Sequence, residues 1–303
     1  MVVIFHLIKR QIMLECYLKL MHTEEFGTLK NINKSQGEQH PINCINHLKL
    51  NTMAKINGAV IWEGPSLYDG KPIAVIMVGL SQGSANTKTG AMVQTYIIRT
   101  DMHPIDALKN GGDESICGDC KHRPLLAKDN GEARCYVNVG QGVNMVYKSF
   151  LKGNYPRITI DEAKELVKGK NIRFGTYGDP CVAPIEIFSE LATVCKRRTG
   201  YTHRWRDDNF DMEWSKLVMA SVDDIWEQQT ALAMGMRYFR VQIGYNAPLQ
   251  GEINCPASKE SGQKTTCTNC CLCSGTSIKA KNIVIADHGL GHQKRAKLSI
   301  NLN

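Results

Sequence analysis

The chain has 303 residues and a formal net charge of +8, with 43% hydrophobic and 22% charged residues. This composition is ordinary for a globular protein with a sizeable core, and it excludes a disordered or fibrous chain. No run approaches the roughly 18 to 20 apolar residues of a membrane span. The apolar start at residues 1–8 lacks a basic region and a cleavage site. We therefore expect a protein of the reducing cytoplasm, without a membrane partner.

Residues 1–52 differ from the rest, being rich in Asn, Lys, Ile and His with a loop-like tract at 33–41. We predict that the native domain begins at Met53 and that the preceding segment is a dispensable extension or an over-called start. The main domain then covers residues 53–290, and a basic tail covers 291–303. Much of the positive charge lies in these two ends, which are more often solvated than part of a binding groove. The charge permits a nucleic acid or phosphate-bearing partner without requiring one.

Three β-strands open the main domain, and strands and helices alternate after residue 159. Apolar runs and turn residues predict strands at 59–63, 73–80 and 92–99. The later predicted elements are a helix at 161–168 capped by Thr159, a strand at 172–176, a helix at 184–198, strands at 201–205 and 217–222, a helix from Asp223 or Asp224 to 234, and strands at 238–243 and 281–286. Buried strands alternating with helices indicate a parallel sheet with right-handed crossovers. The predicted fold class is α/β, a partial or closed (β/α) barrel with cysteine-rich metal-binding loops at 117–135 and 255–273.

The second cysteine-rich loop carries the strongest motif of the chain. Cys267, Cys270 and Cys273 fall at strict two-residue gaps, and Cys255 precedes Pro256. Such gaps let thiolates converge on one metal centre, and clustered cysteines in an intracellular chain are more often ligands than disulfides. The motif predicts an iron–sulfur cluster or a zinc site. A disulfide knot or a set of free thiols is the alternative.

The first cysteine-rich loop contains Cys117 and Cys120, followed after a turn by Cys135. The pattern is typical of half a zinc ribbon or of a cluster loop, and His122 is a candidate to complete a zinc site. A redox disulfide between Cys117 and Cys120 competes with this interpretation. It is disfavoured because a redox pair usually opens a helix, whereas Pro124 argues against a long helix here. Cys117 and Cys120 could also share one zinc with two cysteines of the second loop.

Polar residues follow the predicted strands, and in parallel barrels such residues form the working site at the carboxyl ends of the strands. Asp179, His203, Asp223 and Arg240 are the catalytic candidates of this set. The other members are Thr176, Arg204, Arg206, Ser221, Gln242, the 252–258 segment, Asp287 and His288. We expect the cysteine thiols to gather at the same end of the barrel as these polar residues.

Simpler roles exist for each catalytic candidate. Asp223 could cap the helix that follows, Asp179 could shape the turn before Pro180, and His203 could be a structural histidine. Arg240 on a strand needs a carboxylate, phosphate or carbonyl partner if it is buried. The set is therefore more informative than any one member.

Phe174-Gly-Thr-Tyr-Gly-Asp-Pro180, followed by a helix and a strand at Tyr201, resembles the second unit of radical S-adenosylmethionine barrels. In that family a strand ends in a Gly-Glu-Pro-type motif ahead of a helix. The Val218-Met-Ala-Ser-Val-Asp223 strand before a helix is similar to the family's later Ser-x-Asp unit. The similarity spans roughly residues 92–286.

Cys135-Tyr136 is similar to the aromatic-flanked last cysteine of the family's cluster loop, as in phage-encoded barrel proteins distantly related to spore photoproduct lyases. The family's loop is Cys-x3-Cys-x2-Cys, whereas the spacing here is Cys117-x2-Cys120-x14-Cys135. The resemblance implies that these three cysteines hold a [4Fe–4S] cluster whose open iron binds the methionine moiety. The altered spacing keeps zinc open as the alternative metal.

The resemblance further implies a cofactor site formed by Thr176, Gly178, Asp179 and Ser221, with Gly178 and Asp179 near the amino group of S-adenosylmethionine. Cys255, Cys267, Cys270 and Cys273 would hold an auxiliary cluster. The implied activity is hydrogen abstraction by a carbon radical from a small-molecule or nucleotide substrate, with nucleic acid as another candidate.

The alternative function is a zinc-binding, phage-type protein of the host cytoplasm that binds nucleic acid without radical chemistry. Basic residues that could contact phosphates under either function are Lys121, Arg123, Arg197, Arg198, Arg204 and Arg206. Solvation at the surface explains most of them equally well. A non-catalytic scaffold is the third option, and the polar strand ends argue against it.

Overall fold

A computed structural model describes residues 56–83, 86–125, 135, 137–242 and 247–287. The chain divides into two compact units, Met1–Ile56 and Asn57–Asn303, and everything below concerns the second unit. The predicted N-terminal extension at 1–52, the basic tail at 291–303, Tyr136 and His288 lie outside the described residues. The domain start at Met53 therefore stays a prediction.

Ten strands and seven α-helices make up the described part of the second unit. The strands are β1 Gly58–Pro65, β2 Pro72–Val78, β3 Val93–Arg99, β4 Asn171–Tyr177, β5 Arg197–Thr199, β6 Tyr201–Thr202, β7 Met219–Val222, β8 Tyr238–Gln242, β9 Glu252–Asn254 and β10 Asn282–Ala286. The helices are α1 Pro104–Asn110, α2 Glu114–Cys117, α3 Asn144–Leu151, α4 Ile160–Val167, α5 Ile185–Val194, α6 Ile225–Ala233 and α7 Cys267–Cys270. A π-helical turn, Val139–Val143, leads into α3, and short 3₁₀ turns follow β4 and β6.

The strands form two five-stranded sheets, which makes the fold mixed α/β as expected. The first sheet has the order β1-β2-β3-β4-β5, with antiparallel pairing among β1, β2 and β3 and parallel pairing from β3 onward. The second sheet has the order β6-β7-β8-β10-β9 and is parallel throughout. No closed barrel is found among the described strands.

Gly200 connects the two sheets, because it is the single residue between β5 and β6. Its N–H donates to the carbonyl of Cys273, and its own carbonyl accepts from Met219. A methyl group at Gly200 would stand 2.8 Å from the Val218 side chain and 3.1 Å from Phe174 Cβ. One stretch of chain therefore pairs with β4 before Gly200 and with β7 after it.

Two predicted bounds are wrong in this region. The helix predicted at 184–198 ends at Val194, because Arg197–Thr199 pairs in parallel with the first residues of β4. The strand predicted at 201–205 stops at Thr202, and Arg204–Arg206 forms a 3₁₀ turn instead. The capped helix at Thr159 is confirmed: Thr159 and Glu162 make a reciprocal capping box.

Opposite faces of the second sheet carry two apolar clusters. Met219, Phe239, Ile283 and Ile285 pack together with Cys255 and Cys273 on one face. On the other face, Ala220, Val222, Met236 and Tyr238 pack with Trp205 and with Ala231 of α6. Residues of odd number along β7 and β8 therefore face the cysteine-bearing side. Within the described ranges, no helix combines the length and apolar character that crossing a bilayer requires.

Candidate metal and substrate site

The first thiol group, Cys117, Cys120 and Cys135, begins at the short helix α2. Arg123 anchors this loop: it pairs with Asp113 at 3.0 Å and donates to the carbonyls of Gly111 and Gly118. The Arg123 and Asp113 side chains are only 4% and 1% exposed. A buried, multiply bonded guanidinium of this kind holds a loop in one conformation.

The three thiols of this group border one cavity of about 140 Å³, here named the strand-end cavity. Burial raises the pKa of each of the three thiols, to about 12 for Cys120. The neighbouring thiols of Cys120 and Cys135 raise the pKa of Cys117 further. Redox-active thiols have lowered pKa values instead. Every cysteine in the described ranges is a free thiol.

Gly178 and Asp179 connect the end of β4 to this thiol group. The Asp179 N–H donates to the carbonyl of Ile116 at 2.6 Å, directly before Cys117. The Asp179 carboxylate accepts from the N–H groups of Cys181 and His203 and from the Thr202 hydroxyl. Burial raises the pKa of Asp179, although these three donors oppose the shift. Asp179 therefore positions the ends of β4 and β6 relative to each other.

The four residues predicted to bind the cofactor, Thr176, Gly178, Asp179 and Ser221, all border the strand-end cavity, as does the predicted catalytic residue His203. The Thr176 hydroxyl and His203 Nε2 are buried and find no hydrogen-bond partner among the described residues. A buried polar atom without a partner costs about 1–3 kcal/mol. Such atoms at a cavity wall are suited to a polar ligand.

Asp223 lies beside this cavity and makes a contact that the sequence analysis missed. Its Oδ1 is 2.7 Å from Nε2 of His122, and its Oδ2 is 3.4 Å from Nζ of Lys121. Burial by itself would raise the pKa of Asp223, but the hydrogen bond and charge of His122 and the charge of Lys121 lower it to about 2. The helix N-cap is Asp224 instead, whose side chain accepts from Glu227 N–H. Asp223 is therefore not needed as the cap.

The second thiol group consists of Cys255, Cys267, Cys270 and Cys273, which border a larger cavity of about 350 Å³, here named the inner cavity. Burial raises the pKa of Cys273, and the thiols of the other three add to that shift. Cys271 borders the same cavity, but its thiol donates to the carbonyls of Cys267 and Thr268. The four predicted ligands therefore border one cavity, but they are not among the described groups whose ligand atoms lie within 4.8 Å of one another.

The location of α7 differs from the expected common mouth. Cys267 N–H bonds to the carbonyl of Lys88, which precedes β3, and the side chain of Asn171 at the start of β4 bonds to the carbonyl of Thr268. Because β3 and β4 are parallel, α7 lies at the amino ends of the strands, opposite to Asp179. The expectation that all the cysteines lie at the carboxyl ends of the strands was therefore wrong. Short β9 pairs only with the first three residues of β10, so Cys255 lies beside the middle of β10 and not beyond its carboxyl end.

Arg237 organises the segment that follows the second thiol group, and the sequence analysis did not identify it. Its guanidinium donates to the carbonyls of Leu272, Gly275, Ala280 and Lys281. Four carbonyls around one half-buried cation hold the chain between α7 and β10 in a single path. The sequence places Arg237 directly before a predicted strand. It does not reveal the carbonyl groups that Arg237 binds, because these lie 35 to 44 residues away in the chain.

The two cavities are adjacent and share part of their walls. Both are bordered by Val137, Arg173, Thr176, Tyr201 and Phe239. Arg173 lies over the Tyr201 ring at 5.7 Å. A small substrate could therefore contact one positive charge and one aromatic face between the two thiol groups.

Arg240, a predicted catalytic residue, lies outside both cavities. Its guanidinium makes two 2.7 Å bonds to the carboxylate of Glu252, and the two side chains are 11% and 0% exposed. It shares the face of Tyr238 rather than that of Phe239. The carboxylate partner required by a buried guanidinium is thus internal, which indicates a structural role.

We expect Arg240→Met to lower the free energy of unfolding by about 3–5 kcal/mol, because it leaves the Glu252 carboxylate buried without its cation. The double variant Arg240→Met, Glu252→Gln should recover most of this loss, since no buried charge remains. Denaturant titration of the wild type and both variants measures the difference. A double variant no more stable than the single one would contradict the structural assignment.

Most of the candidate phosphate-binding cations are neutralised by carboxylates. Lys121 pairs with Asp223 and Glu227, Arg123 with Asp113, Arg204 with Asp207. Arg206 also pairs with Glu227, and Arg198 donates to the carbonyl of Lys216. These residues therefore do not present a continuous basic surface to nucleic acid.

Thiolates are the ligands that iron–sulfur clusters and many zinc sites use. Three thiols at the strand-end cavity would leave one coordination position free for a ligand, and four thiols at the inner cavity would complete a closed centre. In both groups the thiols would have to lose protons on binding, which a metal cation promotes. No protein-family model, curated protein or solved structure shows a significant match to this chain.

Proposed function

We propose that this protein is an iron–sulfur enzyme of the radical S-adenosylmethionine type, with its reactive cluster at Cys117, Cys120 and Cys135. One observation carries the proposal: these thiols, up to 18 residues apart in sequence, border the same cavity as Gly178 and Asp179. Three thiolates on a [4Fe–4S] cluster leave one iron open for a ligand. Such a cluster, when bound, supplies an electron to the sulfonium of S-adenosylmethionine and so generates a carbon radical.

The strand arrangement supports this proposal. The strands β3, β4 and β5 of the first sheet are parallel, and so are all five strands of the second sheet. Gly200 joins the two sheets without an intervening loop. The segment from β5 through Gly200 to β6 pairs with one sheet and then with the other, and a partial (β/α) barrel requires a connection of this kind. We propose that the two sheets form such a partial barrel around both cavities, which would shield a radical from water.

The residues of the chain have distinct roles in this proposal. Gly178, with a positive φ of 80°, allows its backbone to pack closely against Ile97 and Ile116 and so holds the end of β4 beside Cys117. Asp179 holds the ends of β4 and β6 together. The buried hydroxyls of Thr176 and Ser221 would bind the polar parts of S-adenosylmethionine.

The second thiol group would be an auxiliary centre at the amino ends of the strands. Lys88 and Arg197 lie close enough to lower the pKa of Cys255 and Cys270, against the larger effect of burial. Positive charge beside a thiolate-ligated centre offsets the negative charge that its ligands carry. The shared wall at Arg173 and Tyr201 would place an anionic or aromatic small molecule between the two centres.

Anaerobic purification followed by iron, sulfide and zinc analysis tests the proposal. We expect brown protein with about four iron and four sulfide atoms per cluster, and formation of methionine and 5′-deoxyadenosine after reduction in the presence of S-adenosylmethionine. Cys135→Ser should abolish that cleavage. Cys195→Ser is the matched control, because Cys195 borders neither cavity.

The zinc-binding alternative is the opposite outcome of the same experiment. Colourless protein with zinc, no sulfide and no cleavage of S-adenosylmethionine would overturn the radical-enzyme proposal. Nucleic acid binding would then need a surface other than the paired cations described above, and a filter-binding assay at two salt concentrations would measure it.

A further inference from the structure

Three residues outside both thiol groups converge beside the strand-end cavity. His122 lies in the loop after α2, His203 follows β6, and Asp223 follows β7. Their ligand atoms all lie within 4.8 Å of one another. Three separate parts of the chain therefore bring two imidazoles and one carboxylate to a single point.

The hydrogen bonding of this triad is incomplete. Nε2 of His122 contacts the Asp223 carboxylate at 2.7 Å, while the His122 and His203 rings meet edge to face at 5.5 Å. His122 Nδ1 and His203 Nε2 are buried and lack a hydrogen-bond partner among the described residues. A histidine that served only to pack the core would normally have these nitrogens satisfied.

The triad offers a cation one carboxylate oxygen and two imidazole nitrogens, all of them on partly or fully buried side chains. Lys121 is the competing cation at 3.4 Å from Asp223, but it also pairs with Glu227 and its side chain is 41% exposed. Lys121 can therefore move toward Glu227 when a metal binds.

We propose that His122, His203 and Asp223 form a mononuclear site for a divalent first-row transition metal, with nitrogen and oxygen ligands and no thiol among them. Two imidazoles and one carboxylate form a ligand set used by iron(II) and by catalytic zinc, with positions left open. The His122 and Asp223 ligand atoms need to separate by about half an ångström to admit the ion, given metal–ligand bonds of about 2.1 Å. His122 and His203 border the strand-end cavity, so an open position would face it.

This proposal does not depend on the identity of the thiol-bound metal. The thiol groups bind through sulfur, whereas the triad offers only nitrogen and oxygen. Cobalt(II) distinguishes the two kinds of site, because thiolate ligands add intense charge-transfer absorption and imidazole and carboxylate ligands do not. The probe is therefore cobalt(II) alone, added to the full-length protein as purified under anaerobic conditions.

Equilibrium dialysis against cobalt(II) should show one more bound ion in the wild type than in His203→Ala or Asp223→Asn. If the variants still bind this ion, their affinity for cobalt(II) should be weaker by more than about tenfold. Asp223→Asn keeps the size of the side chain and a hydrogen-bond acceptor for His122, so a purely structural triad would leave the count unchanged. His103→Gln is the control, because His103 contacts Asn144 and Ile105 N–H through its two ring nitrogens.

Equal cobalt stoichiometry in the wild type, His203→Ala and Asp223→Asn would overturn the proposal. It would also be overturned if the additional cobalt showed thiolate charge transfer that disappeared in Cys120→Ser. Iron and sulfide contents measured on the same samples report separately on the proposed iron–sulfur function. Failure of one proposal is thereby distinguishable from failure of the other.

Discussion

Cys270→Ser is expected to remove the metal of the second thiol group and to destabilise the protein far more than Cys271→Ser does. Burial raises the pKa of the Cys270 thiol, and the nearby Cys267 thiol adds to that shift. A closed four-thiolate centre contributes about 10 kcal/mol to the folding of small domains. Losing one ligand should therefore unfold the 255–273 segment and lower the metal content by one centre.

Cys271→Ser is the matched control, one residue further along the same helix end. Cys271 has a positive φ of 50°, and its thiol donates to the Cys267 and Thr268 carbonyls. A serine hydroxyl can make the same bonds. We expect this variant to keep its metal and to lose no more than about 1 kcal/mol of stability.

Metal analysis and thermal unfolding of the two variants, purified side by side, make the comparison. Equal metal content in Cys270→Ser, Cys271→Ser and the wild type would contradict the ligand assignment. Loss of metal in both would instead mean that Cys271 is a ligand and that its observed bonds to Cys267 and Thr268 break when metal binds.

Local signals predicted the elements whose causes are local. The capping box of Thr159 and Glu162 lies within four consecutive residues, and the alternation of apolar runs placed most strands of both sheets. The two-residue gaps of Cys267, Cys270 and Cys273 likewise identified thiols that border one cavity. Each of these signals depends on residues that are neighbours in the chain.

Features that depend on distant partners were not predictable in the same way. The helix predicted to 198 ends early only because β4, some 26 residues earlier, offers an edge to Arg197–Thr199. The amino-end location of α7 depends on Lys88 and Asn171. Neither partner carries a motif.

The candidate site shows the same division. Asp179 and His203 were found from the position of strand ends, and both border the strand-end cavity. His122 could be identified only as a candidate zinc ligand near Cys120, because its partner Asp223 is 101 residues away. The choice between Asp223 and Asp224 as helix cap also needed coordinates, since either carboxylate satisfies the capping preference.

Gly178→Ala is the second substitution for which we expect a large effect. Gly178 has a φ of +80°, and an added Cβ would stand 2.8 Å from Ile97 Cβ and 3.2 Å from the Ile116 carbonyl. The left-handed conformation costs an L-residue about 1–2 kcal/mol, and overpacking costs about 1–3 kcal/mol more. The unavoidable shift separates the end of β4 from the residue before Cys117, so the first thiol group should lose metal as well.

Gly235→Ala isolates the backbone-strain part of this effect. Gly235 has a similar φ of +75°, but nothing lies within 4 Å of the position its Cβ would occupy. It should therefore lose only the 1–2 kcal/mol of backbone strain and keep all of its metal. Chemical denaturation and metal analysis of both variants give the comparison. If Gly178→Ala lost stability but retained full metal content, the contact between β4 and α2 would not position Cys117, and the strand end and the first thiol group would be independent.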